Sequence, residues 1–97
     1  MVEGVALMNT IWKFKMTGVS TVIEMPLGAR VLTAQVQHGD VVLWASFQVE
    51  YAGKKRTRTF VARPTGSEFS VGNEAYIATV QAAGGDLVWH IFEVIRP

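Results

Sequence analysis

Hydrophobic and polar positions alternate along most of this chain, and the alternation predicts β-strands. Trp12, Phe14 and Met16 are separated by Lys13 and Lys15, so the two sets point to opposite faces of an extended strand. Similar runs, broken by glycine, proline or aspartate, follow along the chain, whereas helix signals are scarce. The predicted strands are Thr10–Thr17, Thr21–Met25, Arg30–Gln37, Val41–Glu50, Lys55–Arg63 and a final hairpin over Tyr76–Val94. These seven strands predict an all-β fold, either a small antiparallel sandwich or a partly open barrel, built on two long hairpins.

The first long hairpin lies in the stretch TAQVQHGDVVLWASFQV over residues 33–49. A two-residue corner at Gly39–Asp40 is expected to have type II′ geometry, and it would pair Val36 with Leu43. A corner at His38–Gly39 instead would shift the pairing by two residues and leave the faces unchanged. Either corner predicts one apolar face, made of Leu32, Ala34, Val36, Leu43, Ala45 and Phe47. The opposite face is semi-polar and holds Thr33, Gln35, Gln37, Val42, Trp44, Ser46 and Gln48.

The second hairpin is apolar on both faces. One face is predicted to carry Ala78, Val80, Trp89 and Ile91. The other is predicted to carry Ile77, Val88, Phe92 and Val94 beside Thr79, Gln81 and His90. Such a hairpin needs a cover on each side, and the second cover could be a loop, a closed barrel or another subunit. We expect a second copy of the chain, because a domain of this size buries only about 60–65% of its unfolded surface.

Composition limits the classes of function that fit this chain. Its 97 residues are 49% apolar and 18% charged, which indicates one globular domain, assigned to residues 9–97 after an N-terminal extension over residues 1–8. A net charge of +1 argues against a nucleic-acid partner, and the absence of cysteine excludes disulfides and thiolate metal sites. There is no signal-peptide pattern and no apolar run of the ~20 residues that a membrane helix needs. We therefore expect a soluble protein that is neither secreted through a signal peptide nor bound to a membrane.

Four segments resemble a family of small proteins encoded by tailed phages and prophages, with no assigned activity. They are IWKF at 11–14, MPLGARVLTAQVQHG at 25–39, LWA at 43–45 and YIATVQAAGGDLVWHIFE at 76–93. The resemblance implies a short all-β domain of phage or prophage origin, located in the host cytoplasm or the virion. In this family the basic strand is followed by Gly-Thr-Gly-His-Pro, whereas RPTGSEF here retains only Thr65 and Gly66. Any role of that loop in the family is therefore in doubt for this chain.

No residue pattern predicts catalysis, a metal site or a cofactor. His38 is assigned to a hairpin corner and His90 to a packed, hydrogen-bonded position opposite Thr79 or Gln81, and neither has the further ligands that a metal needs. The glutamates are scattered, and Asp40 and Asp86 are explained by turn chemistry. We predict that the protein is not an enzyme.

Two sets of residues are candidates for binding. The basic segment supplies Lys54, Lys55, Arg56 and Arg58, with Arg63 further along the same strand. Its charges either protect an edge strand against aggregation or bind an anionic group. Gln35, Gln37 and Trp44 form the second set, since an aromatic side chain among amides suits recognition. The alternative for Trp44 is a side chain half-buried under a loop.

The function expected from these features is binding rather than chemistry. We predict a phage accessory protein that acts as a homo-oligomer through protein–protein contacts, in the first instance as a structural or decoration component of the virion. The alternative is an intracellular host-takeover or anti-defence protein that captures a host protein or a small anionic, nucleotide-like ligand.

Overall fold

The computed structural model of the protein describes residues 6–95 and places seven strands in two antiparallel sheets. The strands are β1 (Asn9–Lys15), β2 (Ser20–Pro26), β3 (Arg30–Gln37), β4 (Asp40–Gln48), β5 (Lys55–Pro64), β6 (Glu74–Ala82) and β7 (Leu87–Val94). The first sheet has the order β1-β4-β3 and the second has the order β2-β5-β7-β6. The predicted all-β sandwich is confirmed, and the described strands do not close into a barrel. Residues 1–5 of the predicted extension lie outside the described residues.

The β3–β4 turn decides between the two corners that the sequence allows. The residues between the strands are His38 and Gly39, with φ angles of 52° and 83°. Two successive residues with positive φ are typical of the type I′ turn, which matches the twist of a hairpin. Val36 therefore pairs with Val41 and not with Leu43. The predicted turn at Gly39–Asp40 was wrong, and the alternative turn at His38–Gly39 is correct. The pairing moves by two residues, so this change alone moves no side chain to the other face of the hairpin.

Bulges in β3 and β6 overturn two predicted side-chain orientations. In β3 the pairing passes from Val31 to Thr33, so Leu32 is an extra residue without a partner on β4. Val31 takes the inner position, and Leu32 remains 46% exposed instead of joining the apolar face. In β6 the extra residue is Ile77, which packs against the core and not on the outer face. Alternation alone could not reveal these bulges, because each one resets the period of two.

The core lies between the inner faces of the two sheets. Phe60 at the centre of β5 is fully buried, as are Met25, Leu43 and Ile91. The remaining buried members of this cluster are Met16, Ala29, Ala34, Ala45, Phe47 and Val80. Ala78, Val80, Trp89 and Ile91 face this core as predicted, because Ala78 pairs with Ile91 and Val80 with Trp89.

A loop over residues 65–73 covers part of the outer face of the second sheet. The ring of Phe69 lies 5.5 Å from that of Phe92, and the guanidinium of Arg63 lies 4.3 Å from the Phe69 centroid. Arg63 also forms an ion pair with Glu74, and these hydrogen bonds raise the pKa of Arg63 above its ordinary value. One of the three anticipated covers, a loop, is therefore present. The second copy of the chain stays a prediction.

The central position of Phe60 leads to a test of the core. Phe60→Ala should lower the free energy of unfolding by about 3–5 kcal/mol, because it removes a fully buried ring and leaves a cavity. Val22→Ala is the control, since Val22 is 63% exposed on the neighbouring strand and its truncation should cost no more than about 0.5 kcal/mol. Urea unfolding followed by circular dichroism measures both, and equal losses would contradict this description of the core.

Candidate functional site

The basic segment lies on an interior strand and not at the edge of a sheet. β5 is hydrogen-bonded to β2 on one side and to β7 on the other. The prediction that the whole basic segment is an edge strand was therefore wrong. The pairing with β7 covers only Thr59–Pro64, however, and it ends where Thr59 faces Val94. The first four residues of β5, at 55–58, pair with β2 alone among the described residues.

Arg58 is held by the fold. Its Nε and Nη2 donate to the two carboxylate oxygens of Glu93 at 2.6 and 2.7 Å, and Nη1 donates to the Ala29 carbonyl at 2.5 Å. The side chains of Arg58 and Glu93 are only 20% and 14% exposed. This bidentate pair links β5 to β7, and the third bond adds the turn that precedes β3. Arg58 was predicted as a binding residue, and these three hydrogen bonds give it a structural role.

The other three predicted cations remain accessible. Lys54 and Lys55 lie with their ammonium groups 5.9 Å from the Tyr51 centroid and 5.8 Å from the Trp12 centroid. Arg56 is exposed and has no polar side-chain partner among residues 6–95. Arg56 and Arg58 share one face of β5, because they pair with Met25 and Ile23 of β2 on its inner side.

An open cleft of about 370 Å³ adjoins these arginines at the end of the β5–β7 pairing. Arg56, Arg58, Glu93 and the hydroxyl-bearing Thr57 and Thr59 form the polar part of its lining, and Gly28, Ala29, Val94 and Ile95 form the apolar part. Three of the five N–H groups of the Arg58 guanidinium are used internally, which leaves one hydrogen on each terminal nitrogen for another acceptor. The Arg58–Glu93 pair is neutral overall, so Arg56 gives the cleft a net positive charge. The cleft can accept a small anion.

The second predicted set lies together on the outer face of the first sheet. Trp44, in the middle strand, stands opposite Lys13 of β1 and Thr33 of β3. Gln35 and Gln37 follow along β3, and Lys13 Nζ donates to Gln37 Oε1 at 2.7 Å. We call this surface the β1-β4-β3 face; its residues are Ile11, Lys13, Lys15, Thr33, Gln35, Gln37, Val42, Trp44, Ser46 and Gln48.

The β1-β4-β3 face is open within the described part of the chain. Ile11, Lys13 and Gln35 are exposed on it, and Trp44 is half-buried between its ladder neighbours. Val42 is the one fully buried side chain on this face, although it does not belong to the core cluster. It stands opposite Lys15 and Gln35, and the Lys13 side chain crosses β4 to reach β3, so aliphatic lysine stems cover it.

The structure does not unite the two candidate sets. The β1-β4-β3 face looks outward from the first sheet, whereas Arg56 and Arg58 lie on the inner side of the second sheet at its end. They are two separate sites. A further concavity was not predicted from the sequence: a groove of about 300 Å³ between the sheets, lined by Met16, Gly18, Val41, Ala62 and Trp89 among others. It is formed by two turns meeting, and no periodicity in the sequence encodes such a meeting.

Both histidines lie where their sequence context predicts. His38 occupies the exposed type I′ corner. The ring of His90 is hydrogen-bonded to Thr65 Oγ1 at 2.8 Å and to Thr79 Oγ1 at 3.0 Å, and Tyr76 extends the chain of contacts to Thr79. Within residues 6–95 no group of three or more His, Cys, Asp or Glu side chains is placed to hold a metal ion. No helix in that range is long and apolar enough to cross a membrane.

The contrast between two neighbouring arginines gives a direct test. Arg58→Ala should cost about 2–3 kcal/mol of unfolding free energy, because Glu93 would keep a mostly buried charge without its partner. Arg56→Ala, two residues away on the same face, should cost no more than about 0.5 kcal/mol, because Arg56 is exposed. Urea denaturation of the two variants checks this, and equal stability would contradict the structural role of Arg58.

Comparison with known proteins places the chain by family alone. A family model described as a domain of unknown function, DUF7352, matches residues 8–97. No curated protein and no solved structure was found to match the chain.

Proposed function

The chain belongs to the DUF7352 family, and we propose that it is a non-enzymatic accessory protein that acts by binding another protein through the β1-β4-β3 face. The observation that carries this proposal is the position of Trp44. It lies in the middle strand of an open sheet, half-buried, with Lys13 and Thr33 beside it and Gln35 and Gln37 close by on β3.

The chemistry of this face suits a protein partner. A tryptophan in the middle of a contact area contributes a large apolar surface, and surrounding amides can satisfy the hydrogen bonds of a partner's backbone. The Lys13–Gln37 bond holds two of the polar groups in place before binding, which reduces the ordering cost. None of the clefts described above includes Trp44, Gln35 or Gln37, and a sheet face without a cleft fits another folded surface better than a small molecule, since small ligands need concave sites.

A phage setting is part of this proposal. The resemblance of IWKF, MPLGARVLTAQVQHG and YIATVQAAGGDLVWHIFE to tailed-phage and prophage proteins supports it. In the leading version the chain is a structural or decoration component of the virion, it acts as a homo-oligomer, and its partner is another phage structural protein. In the alternative version the partner is a host protein.

The virion version is tested on particles of the phage that encodes the chain. Quantitative mass spectrometry should find the chain in stoichiometric amounts in purified particles. Particles that contain no copies would contradict the virion version, and the same chain should then be recovered with a host protein from infected cells.

The role of the face is tested with Trp44→Ala in a rebinding experiment. Loss of a central tryptophan typically costs 2 kcal/mol or more, so binding to particles that lack the chain should weaken at least about thirtyfold. Val22→Ala is the matched control, because it removes an exposed apolar side chain from the outer face of the other sheet. Unchanged binding by a folded Trp44→Ala protein would overturn this use of the face.

A second candidate function rests on the cleft at Arg56. The exposed guanidinium of Arg56, which has no polar side-chain partner among residues 6–95, lies next to two remaining N–H groups of Arg58 and the hydroxyl-bearing Thr57. This arrangement favours capture of a small phosphate-bearing anion. Arg58 cannot report on this site, because removing it also destabilises the fold. Arg56 can.

Calorimetric titration with inorganic triphosphate tests the second candidate. Arg56→Ala should weaken binding about tenfold, because a charge-assisted contact to phosphate is lost. Lys15→Ala is the control, since it removes the same charge from the other sheet. Equal effects of both substitutions would show a dependence on overall charge and would count against a site at the cleft.

A further inference from the structure

The four edges of the two sheets differ in how they are protected. β3 is an edge strand of the first sheet and β6 is an edge strand of the second, and the two strands contact each other. Each of them carries a bulge. Bulges and close neighbours are the usual means by which proteins prevent an edge from adding another strand. These two edges are therefore protected.

The β2 edge is protected by its sequence. Backbone bonds of Val19 and Leu27 run to Ala62 and Lys54 in or beside β5, so the odd-numbered residues of β2 bond inward and the even-numbered ones point to the open side. The even-numbered set includes Pro26, which has no N–H to offer, and the charged, exposed Glu24. Proline and charge both discourage strand addition.

The β1 edge has neither a bulge nor a proline, and the charge beside it from the second sheet is Lys55, whose Nζ lies 5.8 Å from the Trp12 ring centroid. The seven residues of β1 pair with β4 without a register shift and contain no proline. Lys13 and Lys15 would normally guard such an edge, but Lys13 reaches over the sheet to Gln37, and Lys15 Nζ lies 3.2 Å from Asp40 Oδ2. Both charges are drawn away from the edge. The side chains left there include Ile11 and Trp12, which are 56% and 39% exposed.

The backbone of β1 is ready to pair. Val49 N–H donates to the Met8 carbonyl and Met16 N–H donates to the Val41 carbonyl, so the even-numbered residues of β1 bond to β4. By the alternation of an antiparallel ladder, the N–H and C=O groups of the odd-numbered residues, from Asn9 to Lys15, point to the open side.

We propose that β1 is a self-association site at which a second copy of this chain adds its own β1, antiparallel and related by a two-fold axis at Trp12. This inference rests on the homo-oligomer that forms part of the proposed function, and it names the surface. Full overlap of Asn9–Lys15 with its symmetry mate pairs Asn9 with Lys15, Thr10 with Phe14, Ile11 with Lys13, and Trp12 with itself. No like charges stand opposite each other, and odd-numbered residues meet odd-numbered residues as hydrogen bonding requires.

The charge pattern of β1 permits pairing with a copy of itself. The strand carries two lysines and no acid, and in the two-fold arrangement at Trp12 each lysine stands opposite an uncharged residue of the partner. Joining two copies would extend the first sheet from three to six strands in the order β3-β4-β1-β1-β4-β3. The two β1-β4-β3 faces would become one continuous surface, because an axis normal to the sheet keeps them on the same side.

Light scattering coupled to size-exclusion chromatography of the full chain at tens of micromolar tests this site. The parent protein should have the mass of two chains. Ile11→Pro should have the mass of one chain, because it removes an outward N–H that β4 does not use, and it should keep its strand signal in circular dichroism. Val22→Pro is the matched control, since it removes an outward N–H from the β2 edge and should leave the dimer intact.

The register is tested by charge at position 11. Ile11 would face Lys13 of the second copy, and a glutamate at position 11 offers that lysine a carboxylate in place of its exposed bond to Gln37. Ile11→Lys should therefore raise the dimer dissociation constant about fivefold to thirtyfold relative to Ile11→Glu, with the difference shrinking at high salt. Both variants lose the same apolar side chain, and neither depends on proline being tolerated. A monomeric parent protein, or equal effects of lysine and glutamate, would overturn the proposal. Neither result would affect binding through Trp44, which the particle experiment measures separately.

Discussion

The architecture depends on the need of two narrow sheets to bury their inner faces against each other. A chain of 97 residues has one core to build, and that core runs from Leu43 and Phe47 on the first sheet to Phe60 and Ile91 on the second. The bulges in β3 and β6 follow from this constraint, because a bulged strand twists more strongly and can bend toward its counterpart. The surfaces that remain available for binding are therefore the outer faces, the ends and the edges of the sheets.

The basic strand shows how one run of charges can serve two purposes. Arg58 and Arg63 form ion pairs with Glu93 and Glu74, which link β5 to β7 and to the start of β6. Lys54, Lys55 and Arg56 come earlier in the run, where β7 no longer covers the strand, and they stay accessible. The division follows the reach of the two glutamates: Arg58 lies just beyond the paired part of β5 but still reaches Glu93. Chemical type does not set the division, because arginine appears in both groups.

Alternation in the sequence was sufficient to predict the seven strands, the core faces of both hairpins and the packed position of His90. It could not predict the order of strands in the sheets, because sheet order depends on contacts far apart in the chain. β5 was therefore predicted as an edge strand along its whole length, whereas only its residues 55–58 pair on one side alone among the described residues. Leu32 and Ile77 were misplaced because a bulge changes the face without a marker in the residue pattern. Of the candidate binding residues, Gln35, Gln37 and Trp44 were correctly grouped on one face, since they lie on paired strands of one hairpin. The commitment of Arg58 was hidden, because its partner Glu93 lies 35 residues away.

The contact between Lys13 and Gln37 joins two strands that are not neighbours, since β4 lies between them. An edge strand normally frays first, because only one ladder retains it. Here, release of β1 would also break the Lys13–Gln37 hydrogen bond to β3 and expose the buried side chain of Val42, which lies beneath the lysine stems. The Lys13–Gln37 bond and the cover of Val42 therefore add to the free energy of opening β1, beyond the loss of its ladder with β4.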